Sequence, residues 1–201
     1  KPTVHVKYGE AQALLAGDAL QALAFEFLTP QDGSTELSVQ AIQVGLLARA
    51  SGYEGMAGGQ AIDLASVGVP LTEAQLRQMH KLKTGALLLC SVQLGAVCAG
   101  KPSHAVWDAF TRYAEALGLA FQVVDDILDV TSDSATLGKT AGKDAAADKP
   151  TYVSLLGLDQ AQQLAEKLYA DSLAALDASG LNTTATAALR ALASLVVHRN
   201  T

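Results

Sequence analysis

Aromatic residues make up only 5% of the 201-residue chain, and charged residues only 17%. With hydrophobic residues at 50%, the apolar content therefore rests mainly on Ala, Leu and Val. Ala and Leu are strong helix formers, which points to an all-α protein with no convincing strand and no repeat. Basic residues are also in deficit, and the formal net charge is -6. That balance argues against a binder of the nucleic-acid backbone, but it leaves room for a phosphate ligand held by a local group of cations. Cysteine is nearly absent. Cys90 and Cys98, on one helix, stand roughly 12 Å apart in rise, too far for a disulfide. Two free, buried thiols fit a reducing cytoplasm.

No secretory signal opens the chain, and a cytoplasmic location is expected. The longest apolar stretch, Thr84 to Ala99, is interrupted by Ser91 and Gln93. It falls short of the roughly 20 residues a membrane span needs, so we expect a buried core helix and no stable membrane insertion. The chain begins with Lys1-Pro2 rather than Met, and an upstream segment is expected.

What is present reads as six or seven helices joined by short loops, in one domain over residues 1–201. The pattern predicts helices over Tyr8–Phe27, Ser38–Ser51 and Gly55–Val67. Thr72 is a good N-cap for a long apolar helix, Glu73–Ala99, which Gly100-Lys101-Pro102 stops. Ser103 caps the next, running from His104 to about Val130. A polar loop fills Thr131 to Pro150. Helices then follow from Pro150 to about Ala178, and from about Ala185 to His198.

The chemistry gathers near the end of the helix that Ser103 caps, in Phe121-Gln122-Val123-Val124-Asp125-Asp126-Ile127-Leu128-Asp129. Asp125 and Asp129 stand one turn and about 40° apart, with Asp126 on the shoulder of that face. Three close carboxylates repel one another, and desolvated carboxylates without a counterion are costly. A hard divalent cation resolves this, and magnesium is typical where phosphate completes the shell. The plain alternative is a solvated acidic face. Lys139, Lys143 and Lys149 follow in a glycine-containing loop and could fold over a metal-bound diphosphate, or could simply be solvated. Lys83, inside the long apolar helix, must either snorkel or find an anion, and the Thr84 hydroxyl could serve the same phosphate. Gln122 could bond a ligand oxygen or satisfy the core. Gly58-Gly59-Gln60 with Asp63 forms a second polar patch, whose glycines suit close helix approach. His5, His80, His104 and His198 show no metal-ligand spacing.

Taken in order, several segments resemble short-chain trans-prenyl diphosphate synthases of the bacterial farnesyl diphosphate synthase type. They are Lys1-Pro2-Thr3-Val4-His5, Gly9-Glu10-Ala11 through Ala16-Gly17-Asp18-Ala19-Leu20, and Gly55-Met56 through Asp63-Leu64. Lys83-Thr84-Gly85-Ala86-Leu87, the aspartate segment and Leu137-Gly138-Lys139-Thr140 complete the set. The resemblance implies an all-α isoprenoid-synthase bundle around a central cavity. It also implies a magnesium-dependent condensation of an allylic diphosphate (dimethylallyl or geranyl) with isopentenyl diphosphate to give farnesyl diphosphate, in a homodimer. By position, Asp125, Asp126 and Asp129 resemble the family's second aspartate-rich motif and are metal candidates. Lys83, Thr84 and Gln122 match allylic-substrate contacts. Lys139, and further on Lys149, match lysines that bind the diphosphate.

The family's first aspartate-rich motif and its Arg-Arg-Gly fall ahead of Lys1. The chain is therefore expected to be the C-terminal two thirds of such an enzyme, inactive alone and exposing surface that the missing helices cover. Two other readings stand beside this one: a non-catalytic prenyl-synthase-like subunit that regulates or scaffolds a partner, and a class I terpene cyclase. The Lys-Thr-Gly segment and the Gly-Lys after the aspartates favour prenyl transfer over cyclisation.

Overall fold

The structure is a computed structural model that describes residues 1–131 and 150–199. The described residues are helical, with no strand: α1 (Val4–Tyr8), α2 (Glu10–Phe27), α3 (Leu37–Ser51), α4 (Met56–Ala65), α5 (Glu73–His80), a π-turn (Lys81–Gly85), α6 (Ala86–Cys98), α7 (His104–Thr131), α8 (Tyr152–Leu156), α9 (Leu158–Asp177) and α10 (Ala187–Val197).

Local chemistry accounts for most of the boundaries. Thr72 and Gln75 form a reciprocal capping box at the start of α5, the Thr72 side chain accepting from the Gln75 N–H at 3.3 Å. Ser103 accepts from the Val106 N–H at 3.3 Å ahead of α7. Thr151 and Ser154 form a second capping box at α8. Three predicted helices are broken where one run was expected. The Tyr8–Phe27 helix begins only at Glu10, because Gly9 sits at φ 90° and ends α1. The Pro150–Ala178 helix is cut at Gly157, where φ is 83°. That left-handed region favours glycine, so Leu156-Gly157-Leu158 carried a readable break. The Glu73–Ala99 helix is interrupted by the π-turn.

α7 is the central helix and packs against α9, α6 and α10. Its inner face supplies Ala120, Val123, Val124 and Leu128 to one core cluster, together with Leu76, Met79, Tyr152, Ala165 and Leu168. A second cluster joins Tyr113, Ala114 and Leu117 to Ala175, Leu176 and Ala193. The alanines let α7, α9 and α10 approach closely, and each fully buried Leu stabilises the fold by about 1.5–3 kcal/mol. Tyr113 is fully buried, and its hydroxyl donates to the Leu189 carbonyl at 2.7 Å. Burial pushes its phenol up to about 12.

Two sequence expectations need correction. Cys98 is exposed rather than buried, and its Sγ accepts from Gln43 Nε2 at 3.3 Å; only Cys90 is buried, which raises its thiol pKa. The expectation that the apolar stretch Thr84–Ala99 is too short for a membrane span also fails on length. The helical path continues through the π-turn, and Glu73–Cys98 is long and apolar enough, by length and composition, to cross a membrane. Core helices pass the same test, and this run packs on α3, α4 and α7.

Candidate functional site

α4 meets the π-turn backbone to backbone. A Cβ on Gly59 would stand 2.1 Å from the Lys83 nitrogen, so only glycine permits the contact. One helical turn further along the same face of α4 is Asp63. Its Oδ2 accepts from Lys83 Nζ at 2.6 Å, with the two side chains 12% and 33% exposed. The lysine that the sequence placed in an apolar helix has thus found an anion within the protein. Extra residues in a π-turn redirect side chains, and such turns recur at functional sites. In the sequence, Asp63 stands out only as part of a polar patch whose glycines suit close helix approach. The signal available was a lone acid four residues after a glycine, on a helix whose neighbours are apolar.

On α7 the adjacent aspartates diverge, since neighbouring helix positions are turned by about 100°. Asp126 points inward, is 8% exposed, and accepts the Tyr152 N–H at 2.7 Å through Oδ2. That bond ties the start of α8 to α7. Asp125 points outward, 54% exposed, and its Oδ1 accepts from Arg199 Nη2 at 3.3 Å. Arg199 is anchored as well by the Phe121 carbonyl at 3.4 Å and by the Phe121 ring, 4.4 Å from its guanidinium carbon. Nothing local in the sequence signals Arg199, which lies 74 positions from its partner.

A polar cavity of ≈180 Å³ joins these pieces. Lys83, Gln122, Asp125 and Asp126 line it, together with Asp63 and His80. Thr84 and Asp129 are half-buried and lie outside that lining. Lys139, Lys143 and Lys149 fall outside the described residues. Among the described residues, no three His, Cys, Asp or Glu side chains gather in a group that could hold a metal ion.

His80 ends α5 and packs on Tyr152, ring centroids 5.7 Å apart. Its imidazole pKa is depressed to about 4, first by burial, then by the Lys83 charge, with Asp63 opposing. The ring is therefore neutral at pH 7. His80 Nδ1 and the Tyr152 hydroxyl are both buried without a hydrogen-bond partner. Burial also raises the Tyr152 phenol pKa.

Comparison with known proteins places the chain in a family. The polyprenyl synthetase model matches residues 1–181. Farnesyl diphosphate synthase of Escherichia coli is 46% identical over 200 residues, covering 99% of this chain and 67% of that protein. The crystal structure of an FPP/GFPP synthase from Zymomonas mobilis superposes with a TM-score of 0.84 at 39% identity, covering 98% of this chain and 65% of that one. A geranyltransferase from Helicobacter pylori, solved with magnesium and isoprenyl diphosphate, gives a TM-score of 0.81 at 34% identity, covering 98% and 63%. The chain spans about two thirds of the length of these relatives. It belongs to the polyprenyl synthetase family.

Proposed function

We propose that this chain carries the allylic-diphosphate half of a magnesium-dependent prenyltransferase, one that condenses dimethylallyl or geranyl diphosphate with isopentenyl diphosphate to farnesyl diphosphate. The observation that carries the reading is the cavity where the Lys83 ammonium and Gln122 share walls with Asp125 and Asp126.

The donor set suits the metal. Aspartates offer only oxygen ligands, the preference of a hard cation such as magnesium. Asp125 is the best placed, being exposed and lining the cavity, and Asp129 is one turn on. Asp126 has one oxygen committed to Tyr152, so its first task is to brace α8. When bound, magnesium would supply positive charge to the departing diphosphate. The chain's own groups act on the same atoms. The Lys83 ammonium stabilises the growing negative charge, and Gln122 offers donors to phosphate oxygens, while Thr84, outside the cavity lining, would need to turn toward it to do the same. Lys139 and Lys149, outside the described residues, would add further positive charge for the diphosphate. Val67, Leu71 and Met79, which line the same cavity, help keep water from the allylic cation.

Homodimerisation belongs to the same reading. The surface that supports it is α1 and α2, where Val6, Leu14, Leu15, Leu20 and Phe27 are all more than 60% exposed. The two free thiols go with a cytoplasmic location.

The test is an assay with labelled isopentenyl and geranyl diphosphates on two proteins. One is the 201-residue chain. The other is a fusion placing the N-terminal third of the E. coli relative ahead of Lys1, its helicity checked by circular dichroism. We expect magnesium-dependent farnesyl diphosphate from the fusion and none from the chain alone. A folded fusion that makes no prenyl product would overturn the proposal.

A further inference from the structure

The Gly59 and Asp63 patch on α4 remains unused by the reaction as proposed. We infer that Asp63 is a positioning residue: it fixes the Lys83 ammonium at the cavity wall, and diphosphate binding depends on it through Lys83. This rests on the reading of the cavity as a diphosphate site.

Four observations converge. The Asp63–Lys83 contact is short, at 2.6 Å. It joins side chains that are 12% and 33% exposed, so it is shielded from the solvent screening that weakens surface pairs. It stands on a rigid base, since Gly59 brings the α4 backbone against the Lys83 backbone itself. Both residues line the same cavity as Gln122, Asp125 and Asp126.

A lysine side chain has four rotatable bonds, and ordering it costs rotamer entropy. A lysine already held by Asp63 has met that cost before the ligand arrives. The ammonium has three donors, so one can stay on Asp63 while the others turn to a phosphate oxygen. The carboxylate is also a negative group beside the site, and it would repel diphosphate if it did nothing else. The two roles therefore predict opposite outcomes. If Asp63 only contributes charge, neutralising it tightens anion binding. If it positions Lys83, neutralising it weakens binding.

The experiment is a double-mutant cycle on the 201-residue chain: wild type, Asp63→Asn, Lys83→Met and the double variant. Inorganic diphosphate is titrated calorimetrically at fixed magnesium, and urea unfolding is recorded for each protein. We expect Lys83→Met to weaken binding at least tenfold and Asp63→Asn at least fivefold. In the Lys83→Met background only the repulsion remains, so Asp63→Asn should there leave affinity unchanged or tighten it. Asp63→Glu, which keeps the carboxylate, should recover part of the loss and gives a second variant if the amide folds poorly. Unchanged or tighter binding in Asp63→Asn overturns the inference, and so does an equal loss in both backgrounds. A Lys83→Met variant that binds like wild type instead removes the site reading beneath it.

Discussion

The two ends of this molecule use the same kind of residue in opposite ways. α7 and α9 bury ten and six of their residues, and their apolar faces close on each other. α2 is comparably rich in Ala and Leu over 18 residues, yet none of its residues is buried. Composition makes both regions helical, because propensity is a local property. Only periodicity with a facing partner makes a core. On α7 the apolar positions fall on one stripe, from Tyr113 and Leu117 to Val124 and Leu128. On α2 they are spread around the helix, with Leu14, Leu15 and Leu20 all at least 65% exposed. The candidate site belongs to the packed region and draws its order from it.

The comparison breaks most visibly at Leu176, which is fully buried on α9. Leu176→Ala should cost about 2–5 kcal/mol, read as a lower urea midpoint at unchanged slope. A loss under 1 kcal/mol would mean that the α7–α9 core is looser than its burial indicates.

A somewhat smaller effect comes from His80, at the edge of that core. Its pKa is about 4 folded against 6.5 in the unfolded chain, so the unfolded state binds more protons between these values. The stability it contributes is whole above pH 6.5 and is lost as pH falls toward 4. Linkage puts the loss at about 2 kcal/mol between pH 7 and 5. Urea unfolding at the two pH values should show that drop in the wild type and a smaller one in His80→Phe. Equal drops would assign it to other groups.

The smallest effect is expected at the other end. At concentrations where the chain is monomeric, Leu14→Ala and Leu15→Ala should each shift its stability by no more than about 0.5 kcal/mol. A core-sized loss at either position would show that α2 is covered in solution.

The sequence was informative where causes are local. The caps at Thr72 and Ser103, the helical composition and the aspartate segment are all short-range signals, and the helices they specify are present. The π-turn was not legible: no local signal in Lys81–Gly85 marks it, and its close contact with Gly59 of α4 joins segments distant in sequence. Asp63 and Arg199 were missed for the same reason: their partners are distant in sequence. The aspartate segment was read as one acidic patch. Its backbone phase instead divides it, with Asp126 turned in to brace α8 and Asp125 turned out toward the cavity and Arg199. Counting carboxylates in a motif could not assign these roles, whereas the burial of each one separates them.

That division supplies the most direct test of the account. Inorganic diphosphate titrated into the chain, with and without magnesium, should bind only when magnesium is present. Asp125→Ala should weaken that binding at least tenfold while leaving the unfolding free energy within about 0.5 kcal/mol of wild type, since Asp125 is half-exposed. Binding that ignores magnesium, or an Asp125→Ala variant that binds like the wild type, would contradict the assignment of this face of α7 to a metal-held diphosphate.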